Sequence, residues 1–148
     1  MNPFILSYSD RLKAWHDLRN DLDGNEIKHI CVEVDKFWQK SPISNHFLHP
    51  NDIENWPDPW VLLSDNIYCE YARALGMWYT LVLLGIESVD IVEATDYNSN
   101  DVVLVLVDYA KYVMNYWPDS VLNTSQTEFR IKHRLDVDPL LKKINIKT

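Results

Sequence analysis

Cys69 is the residue whose type and setting could do covalent chemistry in this chain. It lies in "LLSDNIYCEYARALG", after the helix-start signal Ser64-Asp65-Asn66, where an apolar-periodic segment opens and Cys69, Ala72, Gly76 and Tyr79 share a face. A thiol attacks only as the thiolate, and a helix N-terminus, carrying about half a positive charge, lowers its pKa. Such a site is completed by a histidine within hydrogen-bond reach and by a carboxylate or amide that orients the imidazole.

Five histidines compete for the role of base. His133 alternates with Phe129 and Ile131 on the apolar side of a strand pattern, so it can reach the interior as a base or as a hydrogen-bonded core residue. His46 and His49 lie in the stretch before the cysteine segment and can fold over it or stay solvated, while His16 and His29 fall on the polar faces of helical patterns. His46, His49, Asp52 and Glu54 are competent metal-ligand types, but no cysteine pair or helix fixes their spacing, so no metal or other cofactor is expected.

Elements must position these groups, and the pattern changes period once along the chain. Residues 1–40 carry two amphipathic helices: Leu12, Trp15, Leu18 and Leu22 recur at helical spacing up to the Asp23-Gly24-Asn25 break, with Ser9 or Asp10 as caps. Ile27, Ile30, Cys31, Val34, Phe37 and Trp38 form the second apolar face. Cys31 is then a core residue. Residues 41–60 lose periodicity around Pro42, Pro50, Pro57 and Pro59, an ordered connector because Phe47, Leu48, Trp56 and Trp60 are too apolar to stay solvated.

Residues 61–85 form the central helix, preceded by a short helix that Asp58 caps and Pro59 opens, and stopped at Gly85. Over 86–135 the period falls to two or to continuous apolar runs, "SVDIVEA", "DVVLVLV", "KYVMNYW" and "EFRIKHRL", which read as antiparallel strands with a hairpin at Asp108-Tyr109-Ala110. Residues 136–148 are a C-terminal turn and tail. Helices followed by strands define an α+β domain, a single one over 1–148, with the helices packed on a sheet of about four strands.

Composition narrows the partners. With 47% hydrophobic and 24% charged residues in 148, the chain is globular, and two isolated cysteines fit a reducing compartment. Lys plus Arg number 14 against 22 Asp plus Glu, a net charge of −8, so no direct nucleic-acid contact is expected. The start "MNPFILSYSD" has no basic leader, and "MWYTLVLLGI" falls short of the roughly 18 apolar residues of a membrane span, so neither secretion by a signal peptide nor a membrane is expected. Six Trp and eight Tyr favour core packing for Trp38 and Trp78, whereas Trp56, Trp60 and Trp117, each beside a proline, are candidates for a partner-binding surface.

The element order and wording resemble the papain-like core of transglutaminase-like cysteine hydrolases. "VDKFWQK" is similar to that family's helix before the catalytic region, "NWPDPWVLL" to its Trp-Pro approach and "YCEYARAL" to its Cys-Glu/Asp-x-Ala nucleophile segment, while "DVVLVLVDYAKYVMNYW" resembles its hairpin. The resemblance spans about residues 27 to 117. It implies that Cys69 matches the nucleophile, that the histidine position falls on Asp101 and that the orienting position falls on Asn115. An aspartate beside the thiol disfavours the thiolate, so the set is a poor nucleophile.

Three functions follow as expectations. The first is a non-catalytic transglutaminase-like module that binds a protein partner, self-associates or serves assembly. Trp-Pro and Ser-Asp-Asn wording similar to small tailed-bacteriophage proteins adds a host-cytoplasmic or virion setting. The second is a cysteine hydrolase or acyltransferase in which His133 or a connector histidine activates Cys69, and the third is an acidic inhibitor or mimic that meets a basic protein.

Overall fold

The computed structural model describes residues 2–44, 48–117 and 120–145. Helix α1 (Tyr8–Leu22) is capped by Ser7, whose hydroxyl accepts from the Asp10 amide, and buries Trp15 and Leu22; α2 (Ile27–Gln39) buries Ile30, Cys31, Val34, Phe37 and Trp38 on the face its spacing predicts. Asp58 caps α3 (Pro59–Asp65) by accepting from the Val61 amide at 2.8 Å. Helix α4 spans Glu70–Leu83 and α5 spans Asp138–Asn145.

Ser64-Asp65-Asn66, expected to start the central helix, instead ends α3. Asn66 adopts a left-handed conformation (φ 55°) as the C-terminal cap, a position asparagine tolerates. Arg11 reinforces that end from α1: its guanidinium donates to the carbonyls of Leu63 (2.9 Å), Ser64 (3.3 Å) and Leu6, so a buried cation meets the negative pole of α3. Ile67 and Tyr68 then link α3 to α4, and Tyr68 forms a parallel bridge with Ile43 of the connector.

The strands are β1 (Val89–Asp96), β2 (Asp101–Val107), β3 (Tyr112–Trp117), β4 (Ser120–Asn123) and β5 (Phe129–Arg134), in the sheet order β4-β3-β2-β1-β5 with every pairing antiparallel. The period-two pattern marks all of these but β4. Val89, Ile91, Val103, Val105, Val107 and Met114 face the helices, while Val92, Ala94, Leu104, Leu106 and Val113 form a second core on the opposite face. The sheet curls over that second core. Tyr116 of β3 packs on Phe129 of β5, across the two intervening strands, with ring centroids 6.4 Å apart, and its hydroxyl donates to the Glu128 carbonyl. Burial on both faces explains why β2 reads as a continuous apolar run.

Between β2 and β3, Asp108, Tyr109 and Ala110 all have positive φ (59°, 56° and 64°) with no glycine among them. Left-handed backbone costs a non-glycine residue about 1–2 kcal/mol. Tyr109 is exposed, so Tyr109→Gly removes that cost without opening a cavity; part of the gain is lost to the extra freedom of unfolded glycine. Urea denaturation is expected to show a net stabilisation of about 0.5–1 kcal/mol, and a loss of stability would show that the ring makes a contact the turn needs.

Candidate functional site

Cys69 is the N-terminal cap residue of α4, in extended backbone (φ −125°), and it is 2% exposed. The positive end of the helix therefore lies against the thiol, as the wording of the segment implies. Among the described residues no histidine is seen bonded to it. Of the described histidines, His16, His29, His49 and His133 are exposed and none hydrogen-bonds to Cys69; His46 lies outside the described residues. His133, read from its alternation as facing the interior, is a correction. It sits on the edge strand β5 beyond a bulge at Glu93/Ala94 that shifts the register, and it lines a depression with Pro50, Asp52, Glu54 and Asp136.

Asp101 opens β2 beside the cleft, but its carboxylate pairs with Lys132 at 2.9 Å instead of meeting a thiol. Asn115, at φ 64° within β3, has its groups committed: its backbone amide donates to Asp35 Oδ1 (3.0 Å), its side-chain amide donates to the Val103 carbonyl (2.9 Å), and its oxygen accepts from Gln39 Nε2 (3.0 Å). Gln39 in turn accepts from Arg73, whose guanidinium also donates to the Ser41 hydroxyl and carbonyl. A Gln39-Asn115-Arg73 network thus ties α2, β3 and α4 together.

The cleft has two lobes. A cavity of about 250 Å3 is lined by Glu70, Tyr71, Glu93, Ala94, Asp101, Val102, Val103 and Lys132, and a smaller one of about 160 Å3 shares Glu70, Val102 and Val103 and reaches Gln39, Arg73 and Asn115. Tyr71 donates to Glu93 Oε2 at 2.5 Å, and burial followed by that bond holds its phenol above the ordinary range. Sequence reasoning missed this pair, although a signal was present: Glu93 follows Val89 and Ile91 at the period of the helix-facing side of β1, a charge where an apolar residue belongs. The Gln39-Arg73 contact joins residues 34 apart and has no local signal.

Cys31 is inert by contrast. Burial first, then Asp35 and Asp108, push its thiol up to about 12. The tryptophans expected at a surface are placed differently. Trp56 is a core residue, 2% exposed, because the connector folds back over α4; it packs on Tyr71 at 5.9 Å and donates to the His49 carbonyl. Trp60 is half-buried against Trp15 at 6.3 Å, and the side chain of Trp117 lies outside the described residues. Among the described residues no three His, Cys, Asp or Glu side chains converge as metal ligands, and no helix is long and apolar enough to cross a membrane.

The architecture is thus an α+β, transglutaminase-like core with the cysteine at the head of the central helix. Solved structures share it. LapG of Legionella pneumophila superimposes with a TM-score of 0.71 at 15% identity, covering 88% of this chain and 77% of LapG. The EGTA-treated form gives 0.71 at 15%, over 88% and 74%, and the calcium-bound form gives 0.75 at 12%, over 97% and 92%. No family model and no curated protein sequence matches the chain. At such identities the likeness establishes the fold alone.

Proposed function

We propose that this chain is a transglutaminase-like module that works by binding a protein rather than by turnover, as a structural or assembly component. The particle setting suggested by its Trp-Pro and Ser-Asp-Asn wording is part of that reading. One observation carries it: the residues that the family resemblance would put in the base and orienting roles are engaged elsewhere, Asp101 with Lys132 at 2.9 Å and Asn115 with Gln39 and the Val103 carbonyl. A thiol with no general base to take its proton is a weak nucleophile. The second reading, a cysteine hydrolase or acyltransferase, is favoured by the place of Cys69 at the N-terminus of α4 in a fold shared with LapG. Calcium, which the LapG form binds, is not part of our reading, because the described residues offer no convergent ligand set for it.

Alkylation separates the two. With iodoacetamide near pH 6, Cys69 is expected to react no faster than a free thiol such as glutathione, and Cys31 not at all over the same period, as its raised pKa and burial require. Selective labelling of Cys69 at least about tenfold faster than glutathione, lost on substituting a single histidine, would overturn the binding-module reading.

A further inference from the structure

The sheet order β4-β3-β2-β1-β5 leaves β5 with one long side unpaired. Which of its backbone groups face that side follows from β1. The Asp108 amide donates to the Ser88 carbonyl and the Asp96 amide to the Asn100 carbonyl, so the even-numbered residues of β1 bond to β2. The Leu135 amide donates to the Ile91 carbonyl, so the odd-numbered ones bond to β5. His133 and Arg130, opposite Glu93 and Thr95, therefore turn their N–H and C=O groups toward β1, and Lys132 is the extra residue of the bulge. Phe129, Ile131 and Arg134, opposite Asp96, Ala94 and Val92, turn theirs away. Among the described residues nothing bonds to the outward backbone groups of Ile131 and Arg134, and Arg130 through Arg134 are all exposed. The opposite edge, β4, is four residues long and lies beside α2.

An open edge binds an extended chain through main-chain hydrogen bonds, and the side chains along it select which chain. Those of β5 include Arg130, Lys132, His133 and Arg134, with no acidic residue in the strand. Lys132 pairs with Asp101 at 2.9 Å and Arg134 with Asp90 at 3.0 Å, but these acids sit on β2 and β1, inboard of the edge, and such exposed bridges are weak. Arg130 forms no ion pair among the described residues. The row rejects a second copy of the chain: antiparallel pairing of β5 with itself about Ile131 sets Arg130 against Lys132. It suits a strand that brings carboxylates. We propose that the open edge of β5 is where the module holds its partner, and that the occupant is an extended acidic segment of that partner protein, added to the sheet as a strand. The inference rests on the binding-module reading above. Carboxylates on one face of the added strand meet Arg130, Lys132 and His133, and its other face lies along Phe129 and Ile131 on the side of the second core. Glu128 and Asp136 bound the basic row, so the acidic stretch that fits it is short.

The test is titration of the isotope-labelled protein at low salt, read by amide NMR, with acetyl-Thr-Glu-Val-Glu-Val-Glu-Thr-amide and with the peptide that carries lysine at each glutamate position. Saturable binding of the acidic peptide is expected, with slowed hydrogen exchange of the Ile131 and Arg134 amides and the lysine peptide at least about tenfold weaker. Arg130→Gln with Lys132→Gln should weaken the acidic peptide at least about fivefold, whereas Lys13→Gln with Lys28→Gln, which removes the same charge from exposed sites on α1 and α2, should change it less than about twofold. Ile131→Pro takes away an outward N–H and breaks no bond to β1, so the fold should hold while binding falls at least about fivefold. Should that variant unfold, N-methylation of the peptide decides. A strand bonds through alternate residues, so methylating the glutamate amides and methylating the valine amides must differ at least about fivefold in their effect. No saturable binding, equal binding of the lysine peptide, equal loss in both charge variants, or equal binding of the two methylated peptides overturns the proposal. Failure here with an unreactive Cys69 leaves the module reading standing; a reactive Cys69 with retained peptide binding removes that reading and keeps the edge site.

Discussion

Thr80→Val is expected to lower the stability of the protein by about 3–4 kcal/mol, although valine matches threonine in shape. The Thr80 hydroxyl is fully buried and saturated: it accepts from the indole N–H of Trp15 at 2.8 Å and of Trp38 at 3.0 Å, and it donates to the Gly76 carbonyl at 2.7 Å. Both indoles are themselves fully buried, so valine leaves two N–H donors with neither protein nor water to meet them. Each stranded donor costs about 1–3 kcal/mol, far more than the packing difference between a methyl and a hydroxyl. For a chain of this length the corresponding drop in melting temperature is about 10 °C. Thr80→Ser keeps the hydroxyl and loses one buried methyl, so it should cost only about 1 kcal/mol. Urea denaturation of both variants checks the pair. Equal losses for valine and serine would mean that the methyl, not the hydroxyl, holds α1 and α2 to α4.

This one side chain shows how the cleft is held and why much of it is illegible locally. Period separated helices from strands correctly because burial on one face imposes it, as with Ile30, Val34, Phe37 and Trp38 along α2 and with the continuous run of β2. Strand β4 escaped because four residues after Pro118 are too few to show a period. Ser64-Asp65-Asn66 misled for a chemical reason: small polar side chains cap helix starts, and asparagine equally ends helices in the left-handed conformation. What assigns the segment to the end of α3 is Arg11, 52 residues upstream of Leu63.

The site divides in the same way. Cys69 at the head of a helix is a local property and could be read, as could the place of Asp101 at the start of β2. The commitments of the other residues could not be read. Asn115 is spent on Asp35, Gln39 and Val103, contacts of 80, 76 and 12 residues' separation. Trp56 looked like a surface anchor because a proline follows it, yet the connector carries it under Tyr71. A bulge in the β1-β5 pairing, one residue wide, moved His133 away from the interior that its alternation predicted.

Gly76→Ala is expected to destabilise the protein by about 2 kcal/mol, against the sign that helix propensity gives. In the interior of α4 alanine is worth about 1 kcal/mol over glycine, since glycine has more backbone freedom to lose. A methyl at this position, however, would lie 2.5 Å from Cε3 and Cζ3 of Trp38 and 2.6 Å from its Cδ2, about 1 Å inside carbon contact. The indole cannot yield: it is fully buried, pinned through its N–H to Thr80, and boxed by Phe4, Phe37 and Tyr68 with ring centroids 5.4–6.1 Å away. Overpacking of this kind costs about 1–3 kcal/mol and more where neighbours are fixed, so the clash exceeds the propensity gain. Relief requires α4 to move off α2, which displaces the helix whose head holds Cys69 and Glu70. A double-mutant cycle tests the mechanism: Trp38→Leu opens a void on its own, and adding Gly76→Ala to it should cost at least about 1 kcal/mol less than in the wild-type background. Additive losses would show that the glycine is required for some reason other than the close approach of Trp38.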